Sequence, residues 1–221
     1  MSGRAWARSP MLRHRAAGRA PAAAVALLAF MVAPCSAQGP QGGSAAAEVA
    51  GAVHVCSSCH GPQGRSLSST FPRLAGQQKD YLVVQLQAFR DKTRADPHAK
   101  TYMWGMTARL SDPLIEAIAT YYSSQPPVPG EPDNTAEAAA GGKIYTEGTP
   151  SENLPPCMGC HGERAEGNSV NARLAGQHRA YIERQLEAFA SMARANEIMH
   201  ESSKNLTAAQ IRDVAAYLRT R

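Results

Sequence analysis

Apolar residues recur at helical spacing between Lys79 and Arg94. Leu82, Leu86 and Phe89 share one face, and Tyr81, Gln85 and Phe89 stand four apart. The pattern predicts a helix over 79–94. Ser111-Asp112-Pro113 opens another, with proline in the first turn where its missing N–H costs nothing. Ile115, Ile118 and Tyr122 form its apolar stripe. Thr207-Ala208-Ala209-Gln210 has the form of a capping box ahead of Ile211, Val214 and Leu218. No run alternates apolar and polar as a half-buried strand does, so the chain reads as all-α. Residues 38–47 carry Gly, Gln, Ser and Ala without periodicity and read as a mobile leader.

The same pattern occurs twice. Arg73-Leu74-Ala75-Gly76-Gln77 returns as Arg173-Leu174-Ala175-Gly176-Gln177. The match continues through Tyr81/Tyr181, Gln85-Leu86/Gln185-Leu186, Ala88-Phe89/Ala188-Phe189 and Arg94-Ala95/Arg194-Ala195. Leu110-Ser111 pairs with Leu206-Thr207, and Tyr121 with Tyr217. Two copies are too few for a solenoid, so the repeat predicts two similar domains, 38–129 and 130–221. Between them Pro126, Pro127, Pro129 and Pro132 favour an extended, semi-rigid linker. It carries no ligand-like residue, so joining the domains is its expected role. Each half has about 90 residues, a length at which a core benefits from an added apolar group.

Composition changes meaning once the N-terminus is set aside. Arg4, Arg8, Arg13, Arg15 and Arg19 precede an apolar stretch, Ala20 to Ala33, that is short for a membrane span. The small residues Cys35-Ser36-Ala37 follow, so 1–37 reads as a secretory signal cleaved near Ala37 and the product as periplasmic. Pro34 argues against a lipid anchor at Cys35. The chain carries 23 Lys+Arg and 18 Asp+Glu, net +5. Those five arginines are the whole excess, so the exported part balances to zero. Nucleic-acid binding, which needs a basic face, is thereby set aside.

Four cysteines remain, all in Cys56-Ser57-Ser58-Cys59-His60 and Cys157-Met158-Gly159-Cys160-His161. C-x-x-C-H reads as c-type haem attachment. Two thiols three positions apart each add to a vinyl group of one porphyrin, and the next histidine lies under the iron. A structural zinc site would need further ligands at matching spacing, and no other cysteine is available. The motifs predict two covalently bound haem c, with Cys56, Cys59, Cys157 and Cys160 as attachment points and His60 and His161 as iron ligands. Methionine as the sixth ligand favours ferrous iron. Met103 and Met199 each lie seven residues before the repeated leucine, Leu110 or Leu206. Met106 falls opposite Ser202, and Met192 has no matching methionine. Met103 and Met199 are therefore the expected distal ligands, with His98 and His200 as competitors.

Together these features resemble the cytochrome c4 family, periplasmic proteins with two fused class I cytochrome c domains. The resemblance rests on the paired C-x-x-C-H-G motifs, the R-L-A-G-Q segments, the methionines ahead of Leu110 and Leu206, and Tyr121 and Tyr217. It covers nearly all of 45–221. It implies that a proline carbonyl holds the proximal histidine. Pro72 fits that position for His60, and Ala172 replaces it for His161. It also implies that Gly51 and Gly142 sit where terminal helices cross, and makes Arg73 and Arg173 candidates for pairing with propionates.

The expected function is electron transfer with both irons His/Met ligated. The donor would be a membrane quinol-oxidising complex, and the acceptor a terminal oxidase or reductase. Peripheral membrane association is compatible with this role. Two other functions compete: an electron-accepting subunit of a dehydrogenase, such as the flavocytochrome c type, and a dihaem peroxidase. The peroxidase needs an open iron, against which the matched methionines argue.

Overall fold

A computed structural model describes residues 44–221. The predicted signal, 1–37, and the first part of the expected leader lie outside the described residues. From Ser44 the chain is ordered into a helix rather than a leader. The Ser44 hydroxyl accepts from the Ala47 N–H, and α1 runs Ala45–His60. Four helices make up the first half: α1, α2 (Lys79–Arg90), α3 (Trp104–Thr107) and α4 (Asp112–Ser123). The second half has α5 (Ala136–Glu147), α6 (Met158–His161), α7 (Arg179–Ala190), α8 (Glu197–Glu201) and α9 (Ala208–Arg219). Among the described residues, extended pairing is limited to two isolated bridges, so the all-α expectation holds.

The predicted starts are present. Ser111 caps α4 with proline in its first turn, and Thr207 with Gln210 forms a complete capping box on α9. The first predicted helix ends sooner, at Arg90 rather than Arg94. Lys92 takes φ +59°, and the chain folds back so that the Arg94 N–H bonds the Ala88 carbonyl at 3.0 Å. Met192 repeats this turn at φ +59°, with Arg194 bonded to Ala188. Met192 thus has a structural counterpart after all, Lys92. The turn folds each arginine back over its own helix, where its guanidinium lies over Phe89 or Phe189.

Each half has its own core. In the first, Leu82, Ile118, Ala119 and Tyr122 are buried against Cys56, Leu74 and Leu86. In the second, Tyr145, Ile182, Val214 and Leu218 are buried against Cys157, Leu174 and Leu186. Burying one such side chain contributes about 1.5–3 kcal/mol. Both cores therefore end on the attachment cysteines.

The helix crossings correct the glycine assignment. A Cβ on Gly51 would meet nothing within 4 Å. On Gly142 it would crowd the Tyr217 ring at 3.2 Å, so that glycine does sit at the crossing. On Gly141 it would lie 1.9 Å from the Asp213 carbonyl oxygen. Gly141 is therefore the position that lets α5 lie backbone to backbone on α9, and the first half has no equivalent at Gly51.

Candidate haem sites and the contact between the halves

The two attachment motifs reach the same local geometry by different routes. α1 is continuous through Cys56 and Cys59 and ends at His60. In the second half α5 stops at Glu147, Gly148 turns at φ +70°, and a loop precedes the single-turn α6. Each motif ends on a glycine at positive φ, Gly61 at 75° and Gly162 at 83°. None of the four described cysteines is in a disulfide; Cys56 and Cys157 are half-buried, Cys59 and Cys160 exposed. Burial pushes the Cys56 thiol up and the Cys157 thiol up to about 11.

His60 Nδ1 lies 2.9 Å from the Pro72 carbonyl, and His161 Nδ1 lies 2.9 Å from the Ala172 carbonyl. A carbonyl can only accept, so Nδ1 carries the proton. Burial lowers the pKa of both rings, partly opposed by these bonds, and keeps them neutral. Each Nε2 is then left with a lone pair for a metal. Replacing proline with alanine leaves the bond intact, because the acceptor belongs to the backbone.

Met103 closes a π-helical turn, Ala99–Met103, and Met199 sits in α8. Both are half-buried, whereas Met106 is 59% exposed. One hydroxyl in each half fixes the methionine backbone: Thr107 Oγ1 donates to the Met103 carbonyl at 2.9 Å, and Ser203 Oγ to the Met199 carbonyl at 2.6 Å. Both hydroxyl residues are buried, 1% and 0% exposed, and they occupy the same register. Sequence reading missed this pair, because threonine and serine do not stand out as a repeat. Of the competing histidines, His200 turns Nδ1 to the Phe189 carbonyl at 3.0 Å, and His98 packs against Tyr102.

Whether these residues fit a haem is tested by the polar atoms they leave over. The buried Arg173 Nε has no acceptor, and Arg173 lines a concavity in which it, Arg164 and Arg221 outnumber Glu163 and Glu166. A propionate would supply what the guanidinium lacks. With the paired thiols and the neutral imidazoles, the residues fit the group. Arg73 differs. Its guanidinium already donates to the Ser66 and Gly176 carbonyls and pairs with Glu131 at 3.2 Å.

The R-L-A-G-Q repeat has another use that the sequence did not disclose. Gln177 Oε1 accepts the Arg73 N–H at 2.9 Å, and its Nε2 donates to the Arg73 carbonyl at 3.0 Å. Gln77 does the same to Arg173, at 2.7 and 3.0 Å. Each glutamine reads the other half's backbone as a neighbouring strand would. Farther along the contact, Arg94 and Arg194, 8% and 6% exposed, both donate to Gln85 Oε1 and to Gln185 Oε1 at 2.6–2.8 Å. Arg194 also reaches the Tyr81 hydroxyl at 2.9 Å. The guanidiniums lie over Phe89 and Phe189. The linker is more than a tether. Glu131 bridges Arg73 and Arg219, and Gly76 sits against Pro127.

Comparison with known proteins agrees with this geometry. A family model described as cytochrome c matches twice, over residues 46–125 and 138–221. Cytochrome c4 of Thiocapsa roseopersicina is 37% identical over 81% of this chain and 93% of its own. The cytochrome c4 structure of Acidithiobacillus ferrooxidans superposes with a TM-score of 0.72 at 41% identity, covering 75% of this chain and 98% of that one. A thiosulfate dehydrogenase electron acceptor of Thiomonas intermedia is 36% identical over 74% of this chain and 76% of its own. The cysteine pairs belong to two covalently bound haem c groups, and the protein transfers electrons rather than transforming a substrate. With both halves matched and most of each relative covered, the chain belongs to the cytochrome c family, in its two-domain cytochrome c4 branch.

Proposed function

We propose that the protein is a periplasmic dihaem carrier in which both irons have one histidine and one methionine ligand. Residues 1–37 form the export signal, cleaved near Ala37, and 38–129 and 130–221 form the two haem domains. Cys56 and Cys59 hold the first haem, and Cys157 and Cys160 the second. His60 and Met103 ligate the first iron, and His161 and Met199 the second. Haem supplies a one-electron couple; the chain supplies the ligands, their orientation and the exclusion of other ligands. One observation carries the reading: in both halves Nδ1 of the motif histidine is bonded to a carbonyl, which fixes the ring and presents Nε2. The buried hydroxyl behind each methionine supports the opposite side.

Redox proteins are the partners. A membrane quinol-oxidising complex is the proposed donor, and a terminal oxidase or reductase the acceptor. Among the described residues no helix is long and apolar enough to cross a membrane. The similarity to thiosulfate dehydrogenase electron acceptors supports a second reading, service to one dehydrogenase as its acceptor.

Met103→Ala and Met199→Ala should each abolish the methionine-to-iron absorption band at one haem and open that iron to carbon monoxide. Met106→Ala should leave both bands. A wild-type protein with one high-spin, ligand-binding haem would refute the proposal.

A further inference from the structure

The contact between the halves is two-fold in almost every member, and one member breaks the rule. Arg94 Nε donates to Asp96 Oδ2 at 3.0 Å, both groups being buried. The residue two places after Arg194 is Asn196. Among the described residues Arg194 forms no ion pair. The cluster therefore holds two buried guanidiniums and one carboxylate, and the carboxylate stands on the first half's side.

That position matters because of what else Asp96 and Asn196 hold. Asp96 Oδ1 accepts the Ala99 N–H at 3.3 Å, the first residue of the turn ending at Met103. Asn196 Oδ1 accepts the N–H of Met199 itself at 2.9 Å. Both are the same structural device, a side-chain oxygen capping the segment that carries the methionine. One oxygen belongs to an anion and the other to a neutral amide. Burial alone would raise the Asp96 carboxyl, but Arg94 and the Ala99 N–H bring it below its ordinary range, so it is charged at neutral pH.

Iron gains one positive charge on oxidation. A fixed anion nearby favours the ferric state and lowers the potential, and an uncompensated cation favours the ferrous state. Both arginines bind the same two glutamine oxygens, so their field reaches both halves. Within the buried cluster, what distinguishes the halves is the carboxylate; Lys100 on the first methionine segment and Glu197 and Glu201 on the second are exposed, where water and salt screen them.

We propose that Asp96 and Asn196 are potential-setting residues that stagger the two haems, with the first held at the lower potential and the second at the higher. This rests on the ligation proposed above. An electron entering at the first haem then runs downhill to the second.

The experiment is a redox titration of the exported holoprotein, with each haem followed through the NMR signal of its bound methionine methyl group. Asp96→Asn, nearly isosteric, should make the first haem easier to reduce by about three- to tenfold in its one-electron equilibrium, where tenfold is 59 mV. The second haem should move less. Asn196→Asp should make the second haem harder to reduce by a similar factor. Unchanged potentials in both variants, or equal movement of both haems, would overturn the inference. If Asp96→Asn does not fold, Asn196→Asp decides alone: a selective drop at the second haem supports the inference, and no drop refutes it. Absence of bound-methionine signals from the wild type would instead refute the ligation, which separates the two failures.

Discussion

The two halves share a repeat but not a way of closing their N-terminal helix. In the first, α1 runs unbroken into Cys56-His60, and Gly51 faces open space. In the second, α5 lies so close on α9 that only a glycine fits at 141, and the chain needs the loop after Gly148 to reach Cys157. Tyr145 then bonds the Gly162 carbonyl at 2.6 Å and ties α5 back to the motif. The parts that do not differ are the carbonyl on each histidine, the hydroxyl behind each methionine and the glutamine across the contact. The bonds made by the motif histidines and behind the two methionines are thus held constant while the helix that delivers the cysteines is free to vary.

Substitutions can press on this contrast. Gly141→Ala should cost the most, about 3 kcal/mol, because two backbones must separate to admit a methyl group. Gly51→Ala should instead stabilise by up to about 1 kcal/mol through helix propensity. Thermal unfolding of the holoprotein measures both, and equal effects would erase the distinction between the crossings.

Gln77→Ala and Gln177→Ala should each cost about 2 kcal/mol, since each strands a backbone N–H and a carbonyl inside the contact. The two losses should match, and denaturant titration would show whether the contact is as symmetric as its distances. Thr107→Val and Ser203→Ala should each cost about 1 kcal/mol. Each should also perturb the methionine band of its own haem alone.

Acid provides a finer test. Asp96 has a folded pKa below its ordinary 3.8, held down by Arg94 and the Ala99 N–H against burial. Its contribution is therefore complete above about pH 3.8 and is lost as pH falls through the lower, folded value. Amide exchange at Ala99 should rise in that range, with no matching change at Met199. In Asp96→Asn the dependence should vanish. Smallest of all, Glu131→Gln should cost a few tenths of a kcal/mol, because its ion pairs are half exposed, and high salt should mask it.

Local chemistry was legible in the sequence. Covalent attachment and helix capping are set by neighbours a few residues apart, so spacing alone conveys them. The methionine register followed from the repeat, and a buried hydroxyl bonds the backbone of each proposed ligand. The contact between the halves was not legible. Tyr81, Gln85 and Arg94 repeat faithfully as Tyr181, Gln185 and Arg194, but a stripe on a helix does not say whether its partner is a cofactor or another domain. The early end of α2 was hidden because Lys92 is an unusual residue for a left-handed turn. Gly51 was misread because glycine marks permission for a close approach, and only coordinates show whether one occurs.

The reciprocal glutamine bonds carry a consequence for assembly. A surface that pairs with its own copy about a two-fold axis is isologous, and such a contact closes on itself. One half alone contains both sides of this joint, which is what a homodimer about the same axis would require. Tethering through the proline-rich segment makes the encounter of the two halves intramolecular, at roughly millimolar effective concentration. Among the described residues, the reciprocal glutamine bonds are satisfied inside one chain, by its own two halves.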